Sequence, residues 1–228
     1  MPLSKTSPGS PAFLFDLDGT LVDSVYQHVL AWREALEQAG LPLAVWRIHR
    51  RIGMSGGLFV NALARETGRT LSTEEVARMQ ALHTEAFLRY SSQVRPLPGA
   101  RELLARLKRE NVAHAIATSG YRESAAVSCK MLEADDVALI TRDQVAHAKP
   151  DPDLFIAAAQ QLKVPIEQSI VVGDSIWDLL AARRARALGV GLLSGGYGAE
   201  ELHEAGAYRV YEDPADLLAH LDEVGVRQ

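Results

Sequence analysis

The sequence predicts an α/β protein in which a doubly wound, mostly parallel sheet carries an inserted bundle of α-helices. Three observations lead there. From residue 98 onward, short apolar runs alternate with stretches of helical periodicity, the pattern of strand–helix–strand units whose parallel sheet is buried on both faces. Residues 23–93 instead read as consecutive helices with no strand between them. A first apolar run, Ala12-Phe13-Leu14-Phe15, stands before that block with no strand near it in sequence, so the simplest topology makes it part of the later sheet.

The elements follow in order. After the 12–15 strand and its acidic loop, Asp23 or Ser24 can cap a helix that carries Val25, Val29, Trp32, Leu36 and Ala39 at steps of three and four. Gly40 and Pro42 stop it. A short second helix carries Val45, Ile48 and Ile52 and ends at Gly53. A glycine-rich loop, 53–57, then leads into a helix with Leu58, Ala62 and Leu63. Ser72-Thr73-Glu74-Glu75 is a capping box that opens a fourth helix through Val76, Met79, His83, Phe87 and Tyr90. Further strands are expected at 112–118, 137–141, 169–173, 190–193 and 208–211, with helices over 100–110, 154–162 and 176–187. Two linkers, 20–23 and 93–98, join the helical block to the sheet. This divides the chain into a core (1–22 and 95–228) and an insert (23–94).

Composition narrows the function. The 228 residues are 47% hydrophobic and 23% charged, ordinary for a folded domain. Lys and Arg total 24 against 29 Asp and Glu, a net charge of −5, which lacks the basic footprint of a nucleic-acid binder. No apolar run approaches the ~18 residues of a membrane helix. The Ser- and Pro-rich start through Pro11 does not read as a signal peptide and is expected to be loose. The single cysteine, Cys129, excludes an internal disulfide and a multi-cysteine zinc site, and reads as a packed thiol. A cytoplasmic protein is expected.

In open α/β sheets ligands gather at the carboxyl ends of the strands. Here those ends hold Asp16-Leu17-Asp18-Gly19-Thr20, then Thr118-Ser119-Gly120, then Gly173-Asp174-Ser175 with Asp178 one helical turn on, and the segment after the 137–141 strand holds Lys149-Pro150-Asp151. Several carboxylates on one spot repel one another unless a cation sits among them. Oxygen donors without His or Cys favour a hard ion, so Mg²⁺ is the expected cofactor. A lysine and hydroxyls beside it suit a bound anion. Together these are the parts for phosphoryl transfer through an aspartyl phosphate. Asp174 also suits a helix N-cap.

These four motifs, in this order and spacing, resemble the haloacid dehalogenase superfamily, in particular its members with an α-helical cap inserted after the first motif. The resemblance implies a Rossmann-like core under that cap. It implies that Asp16 is the nucleophile and that Asp18 protonates the leaving alcohol and then deprotonates water. Thr118 and Lys149 would hold the phosphoryl oxygens, with Ser119 and Gly120 adding to the same anion site. Asp16, the backbone carbonyl of Asp18, and Asp174 would bind Mg²⁺, and Asp178 would be a ligand or would orient Lys149. In the cap, His28 matches a histidine near the hinge of β-phosphoglucomutase-like members, and Arg51 lies on the loop the family closes over substrate.

The expected function is a Mg²⁺-dependent phosphatase of a small phosphorylated metabolite, similar to phosphoglycolate phosphatases and β-phosphoglucomutase-like phosphatases, working as a monomer or homodimer. The alternative is a sugar-phosphate mutase of the β-phosphoglucomutase type, which the stretch from Asp23 to Trp32 resembles. Two departures weigh against it. Gly56 stands where those mutases carry an arginine, and Gly173-Asp174 stands where they have an acidic pair.

Overall fold

A computed structural model describes residues 11–226; the loose start expected through Pro11 falls, up to residue 10, outside them. The chain runs β1 (Ala12–Phe15), β2 (Val22–Asp23), α1 (Val25–Gln38), α2 (Val45–His49), α3 (Gly56–Glu66), α4 (Thr73–Tyr90), β3 (Arg95–Pro96), α5 (Ala100–Arg109), β4 (His114–Ala117) and α6 (Arg122–Met131). It continues through β5 (Ala138–Ile140), α7 (Asp153–Leu162), β6 (Ser169–Gly173), α8 (Ile176–Ala185), β7 (Leu188–Leu192), α9 (Ala199–Ala205), β8 (Ala207–Tyr211) and α10 (Pro214–Ala219).

Six strands form one sheet in the order β5-β4-β1-β6-β7-β8, and every neighbouring pair is parallel. The fold is the expected doubly wound, Rossmann-like sheet with helices around it. β1 lies in the middle because its apolar run has no polar face to offer water. Alternation along it feeds two cores: Phe13 and Phe15 pack with Leu103, Leu107 and Leu217 on one side, and Leu14 packs with Phe155 and Ala158 on the other. The chain leaves β1 for β4 on one side and later returns to β6 on the other. The end of β1 is therefore the switch point of the sheet, where such folds bind ligands.

Helices α1 to α4 bury their own cluster, with Val29, Trp32, Leu36, Phe59, Leu63 and Met79 at its centre. The capping box at α4 forms as read: Glu75 N–H donates to Ser72 Oγ at 3.2 Å and Ser72 N–H to Glu75 Oε2 at 2.8 Å. The two linkers are joined as a small antiparallel ladder, Val22 opposite Pro96 and Asp23 opposite Arg95. Cys129 is buried as expected, and that burial pushes its thiol up to about 11, so it is inert at neutral pH.

Candidate active site

The last hydrogen bond of β1 sets the nucleophile candidate. Asp16 N–H donates to Val172 O at 2.9 Å, which keeps the chain in the sheet up to the first acid. The backbone then turns sharply over Leu17 to Val22, with Gly19 at φ +90°. Only glycine fits there, since a Cβ on Gly19 would also collide with Asp174. The turn places Asp16 and Asp18 side by side at the strand end but in different surroundings.

Asp16 faces inward. Lys149, fully buried, pairs with Asp16 Oδ1 and sits 2.8 Å from Asp178 Oδ1. Asp16, Asp174 and Asp178 are all buried, and each offers a carboxylate oxygen within 4.8 Å of the other two. Burial pushes the Asp16 carboxyl up to about 7; Lys149 opposes this, while Asp178 and Asp18 add to it. Burial, then Asp178 and Asp16, raise Asp174 well above the usual carboxylate range. Burial works against the Lys149 charge, yet Asp16 and Asp178 outweigh it and raise its pKa. Three carboxylates around one ammonium leave an excess of negative charge in a site built of oxygen donors. The donor set therefore fits a hard divalent cation such as Mg²⁺.

Asp174 was expected to double as a helix N-cap. Ser175 takes that position instead, so the Asp174 carboxylate stays free to face the trio. Thr20 Oγ1 donates to its Oδ1 at 2.8 Å. Gly195, in the loop after β7, packs flat against it, and a Cβ on Gly195 would occupy the space of Asp174 Oδ2. Asp178 accepts from Ser175 N–H at 3.1 Å and Ser175 Oγ at 2.5 Å through Oδ2, which turns Oδ1 to Lys149.

Asp18 faces the helical insert. Ser24, read as a helix cap, makes no side-chain cap; its hydroxyl donates to Asp18 Oδ1 at 2.7 Å. His28 Nε2 lies 3.2 Å from the same oxygen, and Thr118 Oγ1 lies 3.5 Å from Asp18 Oδ2. Burial alone would raise the Asp18 carboxyl, but the His28 charge and hydrogen bonds from His28 and Ser24 outweigh it and hold Asp18 below the usual range. The Asp18 carboxylate is not one of the acidic trio.

The remaining predicted residues divide. Thr118 and Gly120 line the same pocket as Asp16, Asp18 and His28, a cavity of about 80 Å³, and Gly120 N–H donates to Thr118 Oγ1 at 2.9 Å. Ser119 lines it too, and its hydroxyl donates to Gly53 O of the insert at 3.0 Å. Arg51 lines the pocket, but its guanidinium is held by Glu66 and by Arg47 O at 2.9 Å. Arg50 turns away to Glu201 and lies over the Tyr197 ring, 4.2 Å from its centroid. Sequence reasoning missed His83, whose Nε2 lies 3.1 Å from His28 Nδ1. Burial and the adjacent His28 hold its pKa well below that of a free imidazole. A histidine in an otherwise apolar helical stripe, 79–87, was the available signal.

The raised Asp16 carboxyl has a consequence for stability. A carboxyl pushed up to about 7 from 3.8 stabilises the fold while protonated, and that contribution is lost as pH rises through about 7. In EDTA, the melting temperature of the wild-type protein is expected to fall between about pH 4 and pH 7 more steeply than that of Asp16→Asn, whose amide does not titrate. Parallel curves would contradict this.

Residues 11–186 match the family model described as haloacid dehalogenase-like hydrolase. A hydrolase from Pseudomonas syringae of known crystal structure is 54% identical, covering 95% of this chain and 100% of that one, with a TM-score of 0.93. The validoxylamine A 7'-phosphate phosphatase of Streptomyces hygroscopicus is 34% identical over 84% of this chain and 89% of its own. The β-phosphoglucomutase of Bacillus subtilis is 28% identical over 81% and 84%. Among the described residues no helix is long and apolar enough to cross a membrane.

Proposed function

The chain belongs to the haloacid dehalogenase-like hydrolases, and on that premise we propose that this phosphatase cleaves a small phosphate monoester through a phosphoaspartate on Asp16, in the cytoplasm, under a cap formed by residues 23–94. What supports this reading is the convergence of Asp16 after β1, Lys149 before α7, and Asp174 and Asp178 after β6 on one buried spot beside Asp18. Asp16, Asp174, Asp178 and the Asp18 carbonyl would hold Mg²⁺, which when bound offsets the carboxylate charge, keeps Asp16 ionised and draws charge from the transferring phosphoryl group.

The side chains then have separate tasks. Asp16 attacks phosphorus in line. Lys149 and Thr118, with the Gly120 backbone, hold the phosphoryl oxygens, and Asp178 keeps the Lys149 ammonium in place. Asp18 gives a proton to the ester oxygen as its bond to phosphorus breaks. It takes one from the water that later displaces Asp16. Held below the usual carboxylate range, Asp18 suits the base step, and a phosphate dianion arriving beside it raises its proton affinity for the acid step.

A mutase needs a grip on a second phosphate. Gly56 lines the pocket without a side chain, and Arg51 is already neutralised by Glu66, so the leaving-group end offers no free guanidinium. A screen over phosphate esters with Mg²⁺, using Asp16→Asn as blank, tests the reading. Phosphate release from at least one small ester is expected. EDTA should lower it by at least about a hundredfold, the scale of an electrostatic catalytic group, and Mg²⁺ should restore it. β-Glucose 1-phosphate should give phosphate and not glucose 6-phosphate. Full turnover in EDTA would overturn the metal assignment.

A further inference from the structure

One half-buried imidazole beside the site has no task in that scheme. His83 of α4 lies behind His28 of α1, its Nε2 3.1 Å from His28 Nδ1, and His28 Nε2 in turn lies 3.2 Å from Asp18 Oδ1. The two rings are held by aromatic neighbours: His83 stacks on Trp32 at 4.1 Å and 16°, His28 on Phe87 at 3.9 Å and 2°. A carboxylate can only accept, so His28 Nε2 must donate to Asp18. His28 Nδ1, on the other side of the ring, meets His83 Nε2, so one proton between the two nitrogens ties the rings together whichever of them donates it.

We infer that His83 is a positioning residue for the acid/base carboxylate: it holds the His28 ring so that Nε2–H stays on Asp18 Oδ1 and Oδ2 is left to face the reacting ester. Oδ2 is the oxygen turned toward Thr118 Oγ1 and Gly120. The inference rests on the phosphatase reading above. In the first half-reaction the Asp18 proton moves to the ester oxygen as that oxygen leaves phosphorus and Asp16 bonds to it. In the second, a water proton moves to Asp18 as the water oxygen replaces Asp16. The chain Asp18–His28–His83 makes the first step depend on two helices of the insert being packed together.

The test compares His83→Phe, which keeps a stacked ring but no hydrogen-bonding nitrogen, with His83→Gln, whose amide can meet His28 Nδ1. An alkyl phosphate needs its leaving oxygen protonated, whereas p-nitrophenyl phosphate does not. With kcat/KM as readout, His83→Phe should lose about 10- to 30-fold on the alkyl ester and less than about threefold on p-nitrophenyl phosphate. His83→Gln should restore most of the difference. Equal losses on both esters, or no advantage of Gln over Phe, would mean that His83 is packing alone. If the Phe variant does not fold, the wild type carries the test. NMR should show a scalar coupling between His28 Nδ1 and His83 Nε2 across their hydrogen bond, and its absence overturns the assignment. Failure of the wild type to hydrolyse either ester would instead count against the phosphatase reading.

Discussion

Asp16→Asn is expected to lower kcat by at least about 10⁴-fold while leaving the protein folded. The amide has the shape of the carboxylate but no charge with which to attack phosphorus. It also removes one of three clustered acids, so the fold should tolerate it: Lys149 still has Asp178 2.8 Å away, and the repulsion on Asp174 falls. The measurement pairs single-turnover phosphate release with a thermal melt at the same pH. Residual turnover within tenfold of wild type, in a correctly folded variant, would show that Asp16 is not the acceptor. A large fall in melting temperature would show that its charge is structural.

Lys149→Met is expected to do the reverse and strike both properties. The ammonium is fully buried and is the cation that holds Asp16 and Asp178 together. Methionine fills much the same volume, so the loss is electrostatic. Removing one partner from a buried ion pair costs about 3–5 kcal/mol, because the carboxylates left behind have no water to turn to. Urea unfolding in EDTA should report a loss of that order at neutral pH and a smaller one at acid pH, where the carboxyls can be neutral. Activity should drop by at least about 10³-fold. The double variant Asp16→Asn, Lys149→Met should regain part of the lost stability, because one of the stranded charges is gone. A single variant as stable as wild type would contradict the balance of charge described for the site.

Most of this site was legible because its parts sit at strand ends. A strand end is readable as an apolar run that stops, and in a parallel sheet all such ends lie on one edge. Asp16, Asp18, Thr118 and Asp174 could therefore be brought together from the pattern, while Lys149, nine residues past the end of β5, was placed by the family resemblance. What escaped are pairings whose choice of partner leaves no periodic trace. Ser24 looks like a helix cap in sequence, yet its hydroxyl serves Asp18. Ser119 stands beside Thr118 in the pocket, and the tie of its hydroxyl to the backbone of Gly53 leaves no mark in the sequence. His83 reads as one more residue of a helical stripe until His28, 55 positions away, is placed beside it. Gly195 was invisible because its role is to be absent: only the neighbouring Asp174 shows that a side chain cannot fit.

The ladder between β2 and β3 has a mechanical side. Both crossings between the sheet and the helical insert are lashed together at Val22–Pro96 and Asp23–Arg95, so they behave as one axle and not as two independent tethers. An insert swinging on such an axle sweeps a short arc near it and a long arc at its far rim. Asp18 bridges to Val22 beside the axle, and its carboxylate is met there by Ser24 and His28 of the insert. Residues beside that axle, Asp18 among them, would move least in any such swing.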